Sequence, residues 1–157
     1  MHYIDAPIEY DGHLPSIFLA GGITGCELWQ SQIAEMLSNE DIAVLNPRRE
    51  NFPMSDPDAA EEQIRWEFRH LARATAALFW FPPQSLCPIA LYELGKWSAG
   101  SRPLFVGTDP GYQRQVDVKI QTALARPDVS VVHSLQDLSE QVITHFGQNA
   151  AKPDETP

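Results

Sequence analysis

Positive charge is scarce in this chain. Eleven lysines and arginines face 21 aspartates and glutamates, for a formal net charge of −10. Proteins that live on a phosphate backbone normally present a basic face, so a nucleic-acid polymer is not an expected partner. A small anionic ligand stays open, because a few arginines or backbone amides suffice to hold one. Cysteine is scarce too: Cys26 and Cys87 could form one disulfide, which is not the framework of a secreted scaffold. The two cysteines and five histidines, His70 and His133 among them, fall in no metal-ligand spacing, so neither a metal nor another cofactor is expected. No apolar run approaches the roughly 20 residues that span a bilayer. The opening MHYIDAPIEYDGHLP has no basic segment followed by an apolar one, so no secretory signal is read there and the cytoplasm is the default location. There is no GK[ST] phosphate loop, no GxGxxG fingerprint and no internal repeat.

What is present is a globular balance. Hydrophobic residues make up 43% and charged residues 20% of 157 residues, enough for one domain. At this length folding buries roughly 70% of the unfolded surface, so a core needs no disulfide. Residues 1–15 read as a polar N-terminal arm, residues 16–147 as the domain, and 148–157 as a disordered tail. Within the domain, short apolar runs at 16–23 (SIFLAGGI), 41–47 (DIAVLNP), 76–81 (AALFWF), 102–107 (RPLFVG) and 129–134 (VSVVHS) read as buried strands. Helical patterns lie between and after them: about 27–39, with Trp29, Ile33, Met36 and Leu37 on one face; 58–76, with Ile64, Phe68, Leu71 and Thr75 at helical spacing; 88–99; 112–126; and 135–146. Asp58, Glu61 and Glu62 suit the positive end of the second helix, and Pro88 the first position of the third. Thr24 or a nearby backbone group could cap the first.

Strands alternating with helices predict an α/β fold. The expected form is a five-stranded, doubly wound parallel sheet with helices on both faces, Rossmann-like in its winding. The commonest arrangement of five such strands is the flavodoxin-like order 2-1-3-4-5, counting from SIFLAGGI. That order sets the carboxyl ends of strands one and three side by side. AGGITG and PPQSLCPIALYE therefore meet at a crevice where such sheets bind ligands.

Several residues near that crevice carry chemistry. Glu93 lies about one and a half turns into the third helix, among Ile89, Ala90, Leu91 and Leu94. A carboxylate with an apolar base can act as nucleophile or general base, or be a surface glutamate. Gly21, Gly22 and Gly25 either admit a ligand close to the backbone or simply make a tight turn. Arg48 and Arg49 could bind a phosphate or carboxylate bidentately, order nearby acids, or stand solvated. Trp29, Phe52, Trp66 and Tyr92 could stack on a base or pack in the core. Cys87 is not expected to be a catalytic thiol, since no histidine is spaced to activate it.

The ordered segments IFLAGGITG, WQ, VLNPRRENFP, EQIRWEF, LFWFPP and PIALYELG resemble the nucleoside 2-deoxyribosyltransferase-like proteins, over roughly residues 16–110. The likeness is greatest to a short bacterial and phage subgroup. In the family a glycine-containing loop lines the sugar pocket, and a later helix carries the nucleophile in a motif like DSGTAxEIGYA. Glu93 in ALYELGKW falls on that nucleophile. The resemblance implies that it attacks C1′ of a 2′-deoxynucleoside, that a second base then takes the sugar with retention, and that neighbouring subunits of a homo-oligomer complete the pockets. The family's aspartate six residues before the nucleophile falls on Cys87, and its glycine–threonine pair on Ile89 and Ala90. Another acid is then needed to protonate the leaving base. Asp56, Asp58 and Asp109 are the candidates, and Asp109, after the fourth strand, is preferred, although TDPG can equally be a plain turn. Gly21, Gly22, Trp29, Arg48, Arg49, Cys87 and Tyr92 are the expected substrate-binding residues. Three activities fit: base exchange on deoxyribose, hydrolysis of a nucleoside or nucleotide, and non-catalytic nucleotide binding.

Overall fold

A computed structural model describes residues 1–53 and 55–150, with side chains to 147. Its centre is a five-stranded, all-parallel sheet: β1 (His2–Asp5), β2 (Ser16–Gly21), β3 (Ala43–Asn46), β4 (Ala76–Phe81) and β5 (Leu104–Thr108), in the spatial order β1-β3-β2-β4-β5. The helices are α1 (Trp29–Met36), α2 (Ala59–Arg73), α3 (Pro88–Ser98), α4 (Gln115–Ala125) and α5 (Leu135–Ala150). The α/β class and the flavodoxin-like character of the sheet are as expected, since β3-β2-β4-β5 is the order 2-1-3-4 of the first four apolar runs.

The strands are apolar throughout because both faces are covered. Phe18, Ala20, Phe79 and Phe81 face a core closed by Trp66 and Leu71 of α2 and by Ala90, Leu94 and Trp97 of α3. Ile17, Leu19, Val44 and Leu78 face the other core, with Trp29, Ile33 and Leu37 at α1 and Leu138, Val142 and Phe146 of α5. Successive residues of one strand serve opposite cores, as the two-residue period of a strand requires.

Three details differ from the sequence reading. The polar arm supplies β1, which pairs with β3 in register from His2↔Ala43 to Asp5↔Asn46. The arm then crosses α2, where the Trp66 indole donates to Ile8 O (2.8 Å) and Tyr10 N donates to His70 Nε2 (3.2 Å). The fifth apolar run is not a strand but a single bridge, Gly107↔Val132. Its start is clamped by Arg126, which grips Asp128 and the carbonyls of Gly100 and Arg102. Ser130 O is taken by Gln141 of α5 at 3.1 Å, so these groups bond away from β5. Finally, Ile64 and Phe68 face outward, because α2 turns Trp66, His70 and Leu71 to the sheet. No side chain caps α1, Thr24 included. The tail expected at 148–157 falls, from 151 on, outside the described residues, while α5 runs to Ala150. Among the described residues no helix is long and apolar enough to cross a membrane.

Candidate functional site

The carboxyl ends of β2 and β4 lie side by side, paired from Ile17↔Ala76 to Gly21↔Trp80. The loops that leave them open a crevice of about 260 Å³. One wall is Gly21, Gly22, Ile23 and Thr24; the other is Ser85, Cys87 and the first turn of α3; Pro47, after β3, closes an end. Glu93 from α3 and Glu67 from α2 both border this space. The same two carboxylates border an adjoining groove of about 430 Å³ between α2 and α3, walled by Ile64, Phe68, Ile89 and Tyr92.

Local sequence explains the placement. Pro88 begins α3, and Cys87 before it takes a left-handed conformation with φ 49°, consistent with the exclusion of right-handed helical geometry before a proline. Cys87 N donates to Ser85 Oγ at 3.1 Å, and Leu91 N closes the first helical turn on Cys87 O. Glu93 is thereby delivered one turn deeper, with Ala90 and Leu94 packed beneath it in the core. Gly21 is demanded by the sheet itself: a Cβ there would lie 2.1 Å from Trp80 O. A Cβ on Gly22 would lie 2.6 Å from the Pro82 ring and 2.7 Å from Cys26 Sγ. Both glycines line the crevice, yet close packing alone accounts for them.

The electrostatics set Glu93 apart. Burial, and then the Glu67 carboxylate facing it, push its pKa from an ordinary 4.5 up to about 7, against the opposing pull of Lys96. Burial raises Glu67 as well, partly offset by a hydrogen bond from Gln63. Gln63 Nε2 donates both to Glu67 Oε1 (2.8 Å) and to Pro47 O (2.6 Å). A carboxylate beside Glu93 disfavours a second negative charge there, which adds to the effect of burial. Burial also pushes the Cys87 thiol up, so it is no thiolate nucleophile.

The remaining expected site residues are dispersed. Arg48 spends its guanidinium on Glu27 O (2.7 Å), Cys26 O (3.0 Å) and Gln30 Oε1 (3.2 Å). Arg49 is bound to Glu62 at 3.0 Å and lies over Phe52. Trp29 is 1% exposed and donates to Gly22 O at 2.8 Å, so it packs behind the glycine loop rather than stacking on a ligand. Tyr92 is 73% exposed on the groove wall. Asp109 borders a separate cavity of about 380 Å³ with Trp29, Trp80, Pro83 and His133. Its Oδ1 accepts from Gly111 N at 2.7 Å, the work of a turn residue. Asp56 likewise accepts from Asp58 N at the approach to α2. Among the described residues no Arg, Lys or His borders the crevice, and no group of three or more His, Cys, Asp or Glu is placed to hold a metal.

Glu67 is the residue that sequence reasoning passed over. Only the packing of α2 beside α3 reveals it; the one local signal is Gln63 four residues before it, on the same helical face.

The class so defined is a parallel α/β protein with two half-buried carboxylates at the carboxyl edge of its sheet. Residues 14–112 match the model of the family described as nucleoside 2-deoxyribosyltransferase like, and the chain belongs to that family. No curated protein matches it.

Proposed function

We propose that the protein exchanges bases on 2-deoxyribose, with Glu93 as nucleophile and Glu67 as acid. The observation that carries this reading is the convergence of two half-buried carboxyl groups, one on each of two helices, on one crevice. A Glu93 oxygen bonds to C1′ as the C1′–N bond breaks. The bonding pair leaves with the base, which takes the proton from the Glu67 carboxyl. The deoxyribosyl ester then meets a second base, whose nitrogen attacks C1′ while its proton passes to Glu67 and the Glu93 carboxylate departs. Two inversions give net retention, by the logic of a retaining glycosidase. In the free protein Gln63 favours the charged form of Glu67, leaving the proton on Glu93. Developing positive charge at C1′ draws Glu93 toward its ionised form, and the proton then belongs to Glu67. Glu67 thus takes the acid role expected of Asp109, and Cys87 needs none.

The substrate is an uncharged nucleoside rather than a nucleotide. The crevice has two carboxylates and no Arg, Lys or His on its walls to pair with a phosphate, and both arginines expected as anchors are bonded to protein groups. The exposed Ile64, Phe68, Ile89 and Tyr92 beside Glu93 form an apolar wall. A second copy of the chain covers it in a homo-oligomer and dries the site. The two free, buried thiols suit a reducing cytoplasm.

The test is incubation with a deoxynucleoside and a different free base, followed by chromatography. New nucleoside supports the proposal. Free base released without exchange means that water intercepts the ester and the protein is a hydrolase. Neither product, at any pH between 5 and 8, rejects catalysis on nucleosides.

A further inference from the structure

Arg48 and its neighbours form a bonded relay that ends at the crevice. Asn46, 5% exposed at the end of β3, holds the backbone of Arg48 from both sides. Its Oδ1 accepts from Arg48 N (3.0 Å) and its Nδ2 donates to Arg48 O (3.2 Å). The same Nδ2 reaches Asp5 Oδ1 (2.7 Å) and Tyr3 Oη (2.8 Å) on β1, so the relay is tied to the sheet. Held this way, the Arg48 guanidinium grips the carbonyls of Cys26 and Glu27 and the side-chain oxygen of Gln30. Gln30, 1% exposed, passes the constraint on by donating to Gly22 O at 3.4 Å, beside the Trp29 indole. Between Asn46 and Arg48, Pro47 O accepts from Gln63, the residue that also holds Glu67. One three-residue segment therefore anchors both the glycine wall and one of the two carboxylates.

We propose that Asn46–Pro47–Arg48 is the positioning element of the crevice, with Arg48 acting as a positioning residue for the 22–28 loop. The loop presents the carbonyls of Cys26 and Glu27 to Arg48. A planar guanidinium with several fixed donors is the group suited to fix three oxygens at once, and a lysine ammonium cannot reproduce that fork. The geometry leaves Arg48 no donor set aimed into the crevice, so it does not bind an anionic substrate. The activity readout rests on the base-exchange reading above; the structural readout does not.

The test compares wild type with Arg48→Met and Arg48→Lys in two measurements. By hydrogen exchange, amides of 22–28 should exchange faster in both variants while those of β2 and β4 stay protected. Unchanged exchange in 22–28 overturns the proposal, and so does a uniform rise across the sheet, which marks a merely structural residue. By kinetics, kcat should fall about 10- to 100-fold, the scale of a small misplacement of reacting groups. The 5′-monophosphate should inhibit wild type and variants equally weakly. Inhibition by the monophosphate that is strong in wild type and lost in the variants overturns the proposal in favour of anion binding. If neither variant folds, Gln30→Met, which cuts the link to Gly22, is read by the same criteria. A wild type inactive on every nucleoside defeats the base-exchange reading, while the exchange measurement still decides the positioning claim.

Discussion

At the scale of single residues, Glu93 is costly to keep ionised. Its pKa of about 7 in the folded chain lies above the ordinary 4.5. Between these values the native state binds more protons than the unfolded one, so stability falls as pH rises through that window and stays low above it. Glu93→Gln removes the cost. At pH 8 it should raise stability by about 1–2 kcal/mol, a figure discounted for partial solvent exposure, and at pH 4 it should change little. Denaturant midpoints at the two pH values check this, and the same variant should show no base exchange. Glu67→Gln keeps the shape of the cleft but removes the acid, and should lower kcat by about 10²- to 10⁴-fold. A deoxynucleoside whose leaving group needs no proton should lose far less, which a comparison of leaving groups would reveal. Glu93 was legible as a candidate because its signal is local: an acid among apolar residues about one and a half turns into a helix, in a motif that resembles the family's, and it borders the crevice. Glu67 was not, because what makes it special is a neighbour 26 positions away along the chain, on another helix. The partners of the arginines were not legible either. A guanidinium after a strand has the right chemistry for an anion, and only the fold shows Arg48 on the carbonyls of Cys26 and Glu27 and Arg49 on Glu62.

At the scale of elements, the turn from β2 toward α1 is the tightest constraint. Gly21→Ala would drive a methyl group against the Trp80 carbonyl, and Gly22→Ala would push one into the Pro82 ring and the Cys26 thiol. Each should cost about 1–3 kcal/mol of overpacking, read as a drop in the denaturant midpoint. Gly25→Ala is a useful contrast, since its Cβ would meet open space and only the φ of +73° opposes it. It should cost about 1–2 kcal/mol, from the left-handed backbone alone. The first four apolar runs became β2 to β5 because continuous apolar stretches with turn residues at their ends have few other fates in a two-sided sheet. The fifth run carried the same pattern and did not pair beyond one bridge: Val129 N bonds to Arg126 O and Ser130 O to Gln141 instead. The N-terminal strand escaped notice because HYID is short and half polar, as suits a sheet edge. On α2, Ile64 and Phe68 had the spacing of a buried stripe, yet Trp66 and His70 filled that role and left an apolar face outward.

At the scale of the whole molecule, that outward face and the two carboxylates border one groove. If a second copy covers the α2–α3 groove, Ile64→Glu should shift the chain toward monomer in sedimentation while leaving stability within about 0.5 kcal/mol, as an exposed substitution does. Activity should fall with the loss of the dimer, since an open groove admits water to Glu67 and Glu93. A monomeric wild type with full activity would refute the shared-site arrangement without touching the chemistry assigned to Glu93. The chemistry itself stands or falls on a covalent bond. Incubating the protein with a deoxynucleoside and no acceptor base, quenching in acid, and mapping peptides by mass spectrometry would report it directly. The account predicts a deoxyribosyl adduct on the peptide that carries Glu93, absent from Glu93→Gln and discharged when a second base is added. Base release or exchange with no adduct on that peptide, or an adduct on any other residue, would contradict it.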